Sequence, residues 1–267
     1  MRAASDLMTR LPALFLLLAL CMSSTAAAQQ YDRRDFEAVL VPIATRDQPG
    51  ANGSLWRTTL KVYHELEPIT ILGYDTQDPL IILPRHTYTA PLFLTGPGDP
   101  SGTLLFVDKH IAGTTHYDLR VRDVSRDSAG PGVAVPVVRE QELLTSRAYL
   151  LAVPCDLRFR QMLRIYSPLV ETSTSFVVTI TEDLRNTVIY SGRWQLIPSN
   201  RILTVPGMTV PRQPTGRDIS LDQLVSNLNT YATVTVTVQP DDPSERFWSF
   251  ISVTDNVTQQ VSLVLPH

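Results

Sequence analysis

Along much of the chain apolar and polar residues alternate singly, the two-residue period of a strand with one buried face. Residues 231–239 show it best: Ala232, Val234, Val236 and Val238 share one parity, and the threonines and Gln239 take the other. Pro240, Asp241, Asp242 and Pro243 then supply turn chemistry. Strand character recurs at 36–44, 55–64, 69–74, 104–107, 118–124, 149–153, 158–166, 176–181, 187–190 and 247–254. These runs are short, and turn residues separate them at a spacing that suits sandwiches and barrels. Twenty prolines against 12 glycines also fit loops and edge strands better than helices. One short helix is expected where Ser220 and Gln223 have capping-box form and Leu224, Val225 and Leu228 follow at helical spacing. A single helical turn at 139–144 marks a junction. The pattern predicts an all-β chain with two antiparallel β-sandwich domains in tandem, 29–145 and 146–267, each of ordinary domain size.

The first residues follow a different rule. Arg2 and Arg10 precede an apolar run from Leu11 to Met22, and Ala26 and Ala28 form the small-x-small pattern of a cleavage site. The run is too short to span a bilayer, which takes about 20 residues. Residues 1–28 therefore read as a signal peptide, with export to the periplasm or exterior after cleavage near Ala28. A lipoprotein with Cys21 lipidated is the rival reading. Leu20 stands where a lipobox wants a small residue, so cleavage at Ala28 is preferred. No later stretch has the length and apolarity of a membrane span.

Charge and cysteines narrow the classes further. Lys and Arg number 23 against 26 Asp and Glu, a net charge of −3, and removing the leader makes the remainder more acidic. That balance argues against a nucleic-acid partner, which usually demands a basic footprint. Past the leader Cys155 is the only cysteine, so neither a disulfide scaffold nor a cysteine zinc cage is available. Lying beside the apolar run at 149–153, Cys155 reads as a buried structural thiol.

Three blocks, PGANGSLWRTTLKVYHE (49–65), LRVRDVSRDSAGPGVAVPVVRE (119–140) and RFWSFISVTDNVTQQVSLVLP (246–266), resemble segments of uncharacterised secreted β-rich proteins of soil bacteria. Those proteins often contain immunoglobulin-like sandwiches, so the resemblance implies immunoglobulin-like domains here. It carries no catalytic residues to transfer.

Candidate chemistry begins with arginines. In RFRQMLRIY (158–166) Arg158, Arg160 and Arg164 fall on one strand face, and Phe159, Leu163 and Ile165 on the other. Arg120 and Arg122 repeat the arrangement beside Leu119 and Val121. Gathered on neighbouring strands, five guanidinium groups would grip a carboxylated or sulfated polymer. Lys61 and Lys109 are the only lysines, however, so arginine is this chain's default cation. The favoured reading is the wet face of a sheet, its arginines paired with nearby aspartates. Trp248 and Phe250 share a face and would offer a sugar platform if exposed, or core if covered. Calcium takes roughly six to eight oxygens, and Asp75 and Asp78, Asp241 and Asp242 with Glu245, and Asp255 supply some. Acidic residues are ordinary in turns, so no metal and no cofactor is assigned.

No G-x-S-x-G or S-x-x-K motif with its companions is present, and no histidine pair has metal spacing. The expectation is a non-catalytic exported protein that binds, adheres or serves structurally, with a protein or glycan partner at the cell surface. A secreted hydrolase or carbohydrate-active accessory module is the alternative; it requires a cleft between the halves.

Overall fold

The strands of the N-terminal half are β1 (Phe36–Val41), β2 (Gln48–Pro49), β3 (Leu55–Tyr63), β4 (Ile69–Leu72), β5 (Leu80–Ile82), β6 (Thr87–Pro91), β7 (Thr103–Asp108), β8 (His116–Asp123), β9 (Val133–Val135) and β10 (Val138–Arg139). This computed structural model describes residues 30–267 except 46, 74–78, 92–101, 127–129, 169–172, 197, 199–201 and 212. The leader, with Cys21, and the acidic turn at 75–78 lie outside the described residues. One antiparallel sheet runs β10-β1-β7-β4-β5. In the other, β3 pairs with β8 on one side and with β2 and β6 on the other, and β9 lies beyond β8. Alternation explains the stacking: Leu60 and Val62 of β3 are buried while Lys61 between them is exposed. They share one core with Leu119 of β8, Leu40 of β1 and Phe106 of β7. Each such side chain contributes about 1.5–3 kcal/mol on leaving water.

The C-terminal half contains β11 (Ala148–Pro154), β12 (Phe159–Ser167), β13 (Thr174–Glu182), β14 (Thr187–Leu196), β15 (Ile202–Val205), β16 (Met208–Pro211), β17 (Thr215–Ser220), β18 (Thr233–Pro240), β19 (Trp248–Asp255) and β20 (Val261–Val264). Two four-stranded sheets result, β11-β18-β13-β14 and β17-β12-β19-β20. Val234, Val236 and Val238 of β18 meet Leu163 and Ile165 of β12 and Ile251 of β19 in a second core. Phe176 and Phe247 pack edge to face there, with centroids 5.1 Å apart. Cys155 is buried in the same core, and burial pushes its thiol up to about 12, which leaves it protonated and inert. The antiparallel, mostly β composition is the expected one. β18 and β19 are consecutive yet occupy opposite sheets, and the last two strands, β19 and β20, lie side by side.

Where the helix was expected, one turn forms at Leu221–Leu224. The Ser220 hydroxyl bonds the Asp222 side chain instead of capping the backbone, and Val225 is already extended. A second turn, Lys109–Ala112, was not foreseen in the sequence. The junction carries a 3-10 turn at Glu140–Glu142.

The β15–β16 hairpin belongs to neither sheet of its own half. Leu203, Val205, Met208 and Val210 join the N-terminal core, and every residue of β1 is buried. Gly207 makes the tight link: its φ of 85° suits the second residue of a Pro-Gly turn, and a Cβ there would lie 2.7 Å from the Tyr31 carbonyl oxygen. The Tyr31 N–H donates to the Pro206 carbonyl at 2.8 Å. Residues beyond 146 thus complete the core of the preceding half.

Candidate binding cleft between the halves

β12 turns Leu163 and Ile165 into its own core and sends Arg160, Met162, Arg164 and Tyr166 the other way. Opposite them on β19 stand Thr254, Ser252, Phe250 and Trp248. On the other flank, Ser220 of β17 faces Met162 and Asp218 faces Arg164. This outer face is not the wet side of a sheet. Tyr166 and Phe250 are both 0% exposed and belong to the N-terminal core, with rings stacked at 6.4 Å. The Tyr166 hydroxyl donates to the Pro42 carbonyl across the junction. Alternation located the face, but the N-terminal half covers it. Trp248 is half-buried against the same core, so neither aromatic is an open sugar platform.

The five arginines are not gathered. Arg120 and Arg122 sit on the face of β8 away from Leu119 and Val121, and the Arg120 Nε lies 2.6 Å from Asp118. Arg158 holds Asp255 at 2.6 Å. Its hydrogen bond, with the Thr258 backbone N–H next, lowers the Asp255 carboxyl to about 2. Arg164, with its side chain 16% exposed, lies 3.4 Å from Asp218 and donates to the Ser252 hydroxyl at 2.6 Å. Its guanidinium also covers the Phe250 ring at 5.7 Å. Arg160 differs. It donates from Nη2 to the neutral Gln259 side-chain oxygen at 2.9 Å, its buried Nε has no hydrogen-bond partner, and among the described residues no carboxylate pairs with it.

The acidic turn residues likewise separate. Asp241 lies 3.0 Å from Arg193, and Asp242 accepts from the Ser244 N–H and hydroxyl at 2.8 and 2.7 Å. Glu245 is buried and accepts from the Ser167 and Thr174 hydroxyls. Among the described residues no group of three or more His, Cys, Asp or Glu side chains is arranged to hold a metal.

A cleft of about 370 Å³ opens where the β12 face meets the end of the N-terminal core. Arg160, Met162, Ser252 and Thr254 line one side, and Ile43, Trp56 and Val121 the other. A second cavity of about 440 Å³ with Arg122 and Arg126 shares Trp56, Val121 and Val261 with the first. Trp56 stands at the start of β3, paired with Asp123 and Gln48. Its parity is that of Leu60, but it lies beyond the close-packed part of the core and stays half-buried. Gly50 makes room for it: a Cβ there would fall 2.5 Å from the indole Nε1. The sequence presented Trp56 as a lone tryptophan, and nothing local distinguished it from a core residue.

An aromatic face, a guanidinium without a carboxylate and several hydroxyls in one cleft are equipment for holding a polar ligand. Among the described lining residues Asp222 is the one carboxylate, and no histidine is present. No family model, curated protein or solved structure matches this chain.

Proposed function

We propose that this chain is a non-catalytic binding protein, exported by its N-terminal leader, that takes its ligand in the cleft between its halves. In this reading 29–145 and 146–267 are tandem sandwich domains that share the two-sheet immunoglobulin architecture while keeping their own strand order. The observation that carries the proposal is Arg160, which lines a preformed cavity with a neutral amide as its hydrogen-bond partner and no carboxylate paired to it among the described residues. A guanidinium on a cavity wall without a carboxylate partner marks a place for an anionic acceptor. A glycosidase in the same cleft would need two carboxyl groups, and the lining supports one. The partner is a glycan or protein terminus at the cell surface, reached without a membrane span.

A thermal-shift screen of neutral and acidic oligosaccharides and short peptides tests the reading. A ligand at 100 times its dissociation constant adds about 2.7 kcal/mol. The shift is expected to vanish in Val261→Trp, which fills the cleft from the lip of β20. A shift that persists in that variant places binding elsewhere and contradicts the proposal.

A further inference from the structure

We infer that the cleft recognises an acidic sugar, a uronate unit whose carboxylate meets Arg160 and whose ring lies on Trp56; this rests on the cleft being the binding site. Of the five arginines weighed as a polyanion surface, Arg160 is the one that lines this cleft with no carboxylate paired to it among the described residues. Arg120, Arg158 and Arg164 already face Asp118, Asp255 and Asp218. Arg160 has a neutral amide and an unused Nε. A guanidinium presents parallel donors that match the two oxygens of a carboxylate. A ligand carboxylate beside this guanidinium would balance its charge.

The rest of the cleft describes the body that bears that carboxylate. Trp56 supplies a broad apolar surface held in place by the close approach of Gly50. Across from it the hydroxyls of Ser220, Ser252 and Thr254 line the β12 side. A pyranose has both characters, an apolar face for an indole and a rim of hydroxyls for serine and threonine. A volume of about 370 Å³ lies at the small end of ligand pockets, suiting one or two sugar rings. Charge separates a uronate from a heavily sulfated chain. The protein carries a net −3 and Asp222 stands at the exposed rim of the cleft, so a dense polyanion is repelled while a single carboxylate at Arg160 is accepted.

Isothermal titration of the full chain with digalacturonate, its neutral counterpart galactobiose, and a sulfated galactose disaccharide tests this. Digalacturonate is expected to bind most tightly. Arg160→Gln should weaken it by about tenfold or more, the loss expected for a charge-assisted hydrogen bond. Arg160→Lys, which keeps the charge but loses the fork, should weaken it less, and Arg120→Gln should leave it unchanged. Trp56→Ala should weaken it with the thermal midpoint of Arg160→Gln still near wild type. Equal binding of galactobiose, unaffected by Arg160→Gln but lost in Val261→Trp, would overturn the uronate and leave the cleft standing. Tighter binding of the sulfated sugar would overturn the choice of carboxylate. No binding of any of the three, or binding untouched by Val261→Trp, would overturn both.

Discussion

Phe250→Ala is expected to lower stability by about 3–5 kcal/mol, the usual cost of emptying a fully buried phenylalanine site. Phe250 lies on the outer face of β19, is wholly buried, stacks on Tyr166 and lies under Arg164. Its removal opens a cavity at the seam between the halves and strips the guanidinium of Arg164 of the ring it covers. At about 2–4 °C per kcal/mol for a chain of this size, the melting temperature should fall by roughly 6–20 °C. The pattern of unfolding carries further information. Wild type should melt in one transition by every probe, because the β15–β16 hairpin and the Tyr166–Phe250 contact tie the halves together. Phe250→Ala should melt in two, as halves that no longer support each other unfold separately. A loss below 1 kcal/mol with a single transition would show that this contact is not what joins them.

A second large loss is expected from Glu37→Ala. The Arg139 Nη2 and Nε donate to the two Glu37 oxygens at 2.7 and 3.0 Å, and the side chains are only 17% and 9% exposed. The pair bridges β1 to the start of the junction, and the hydrogen bond to Glu37 is the chief cause that raises the Arg139 pKa. Removing one partner strands a largely buried charge at a cost of about 3–5 kcal/mol. Lys109 and Arg246 line the same depression, with Glu140 as its remaining carboxylate. Replacing both partners at once, Glu37→Leu with Arg139→Met, should recover most of the loss, since a buried ion pair replaced by apolar groups of similar size is often near neutral. Denaturant unfolding of the two variants distinguishes these outcomes; equal losses would mean that the ion pair itself, not the stranded charge, sets the cost.

Much of the fold was legible because long strands repeat their pattern enough times to be read. β13 and β18 alternate over about eight residues and β3 over part of its length, and Trp248 and Phe250 were placed on one shared face, which packs on the N-terminal core. Strands of two to four residues, such as β2, β10, β15 and β16, hold too few alternations to stand out from loops. The β15–β16 hairpin carries alternating apolar residues, yet nothing in them says that they pack on the other half. The site was legible only in fragments. Alternation gives the direction of Arg160 but not what covers it, because a wet face and a domain seam have the same period. Arg158 and Arg160 differ only through β19: Asp255 lies opposite Phe159, within reach of Arg158, and Thr254 lies opposite Arg160. That pairing joins residues far apart in the chain. Trp56 and Arg160 come from different halves and meet only when the halves close on each other.

The central claim is that the seam between the halves is a ligand site rather than a mere contact. Amide hydrogen exchange with and without saturating digalacturonate tests it most directly. The account predicts added protection confined to the segments that line the cleft: Ile43 and Thr45, 48–56, the neighbourhood of Val121, 160–164, 220–222 and 252–261. Protection centred on the exposed edge strand β14 would contradict it.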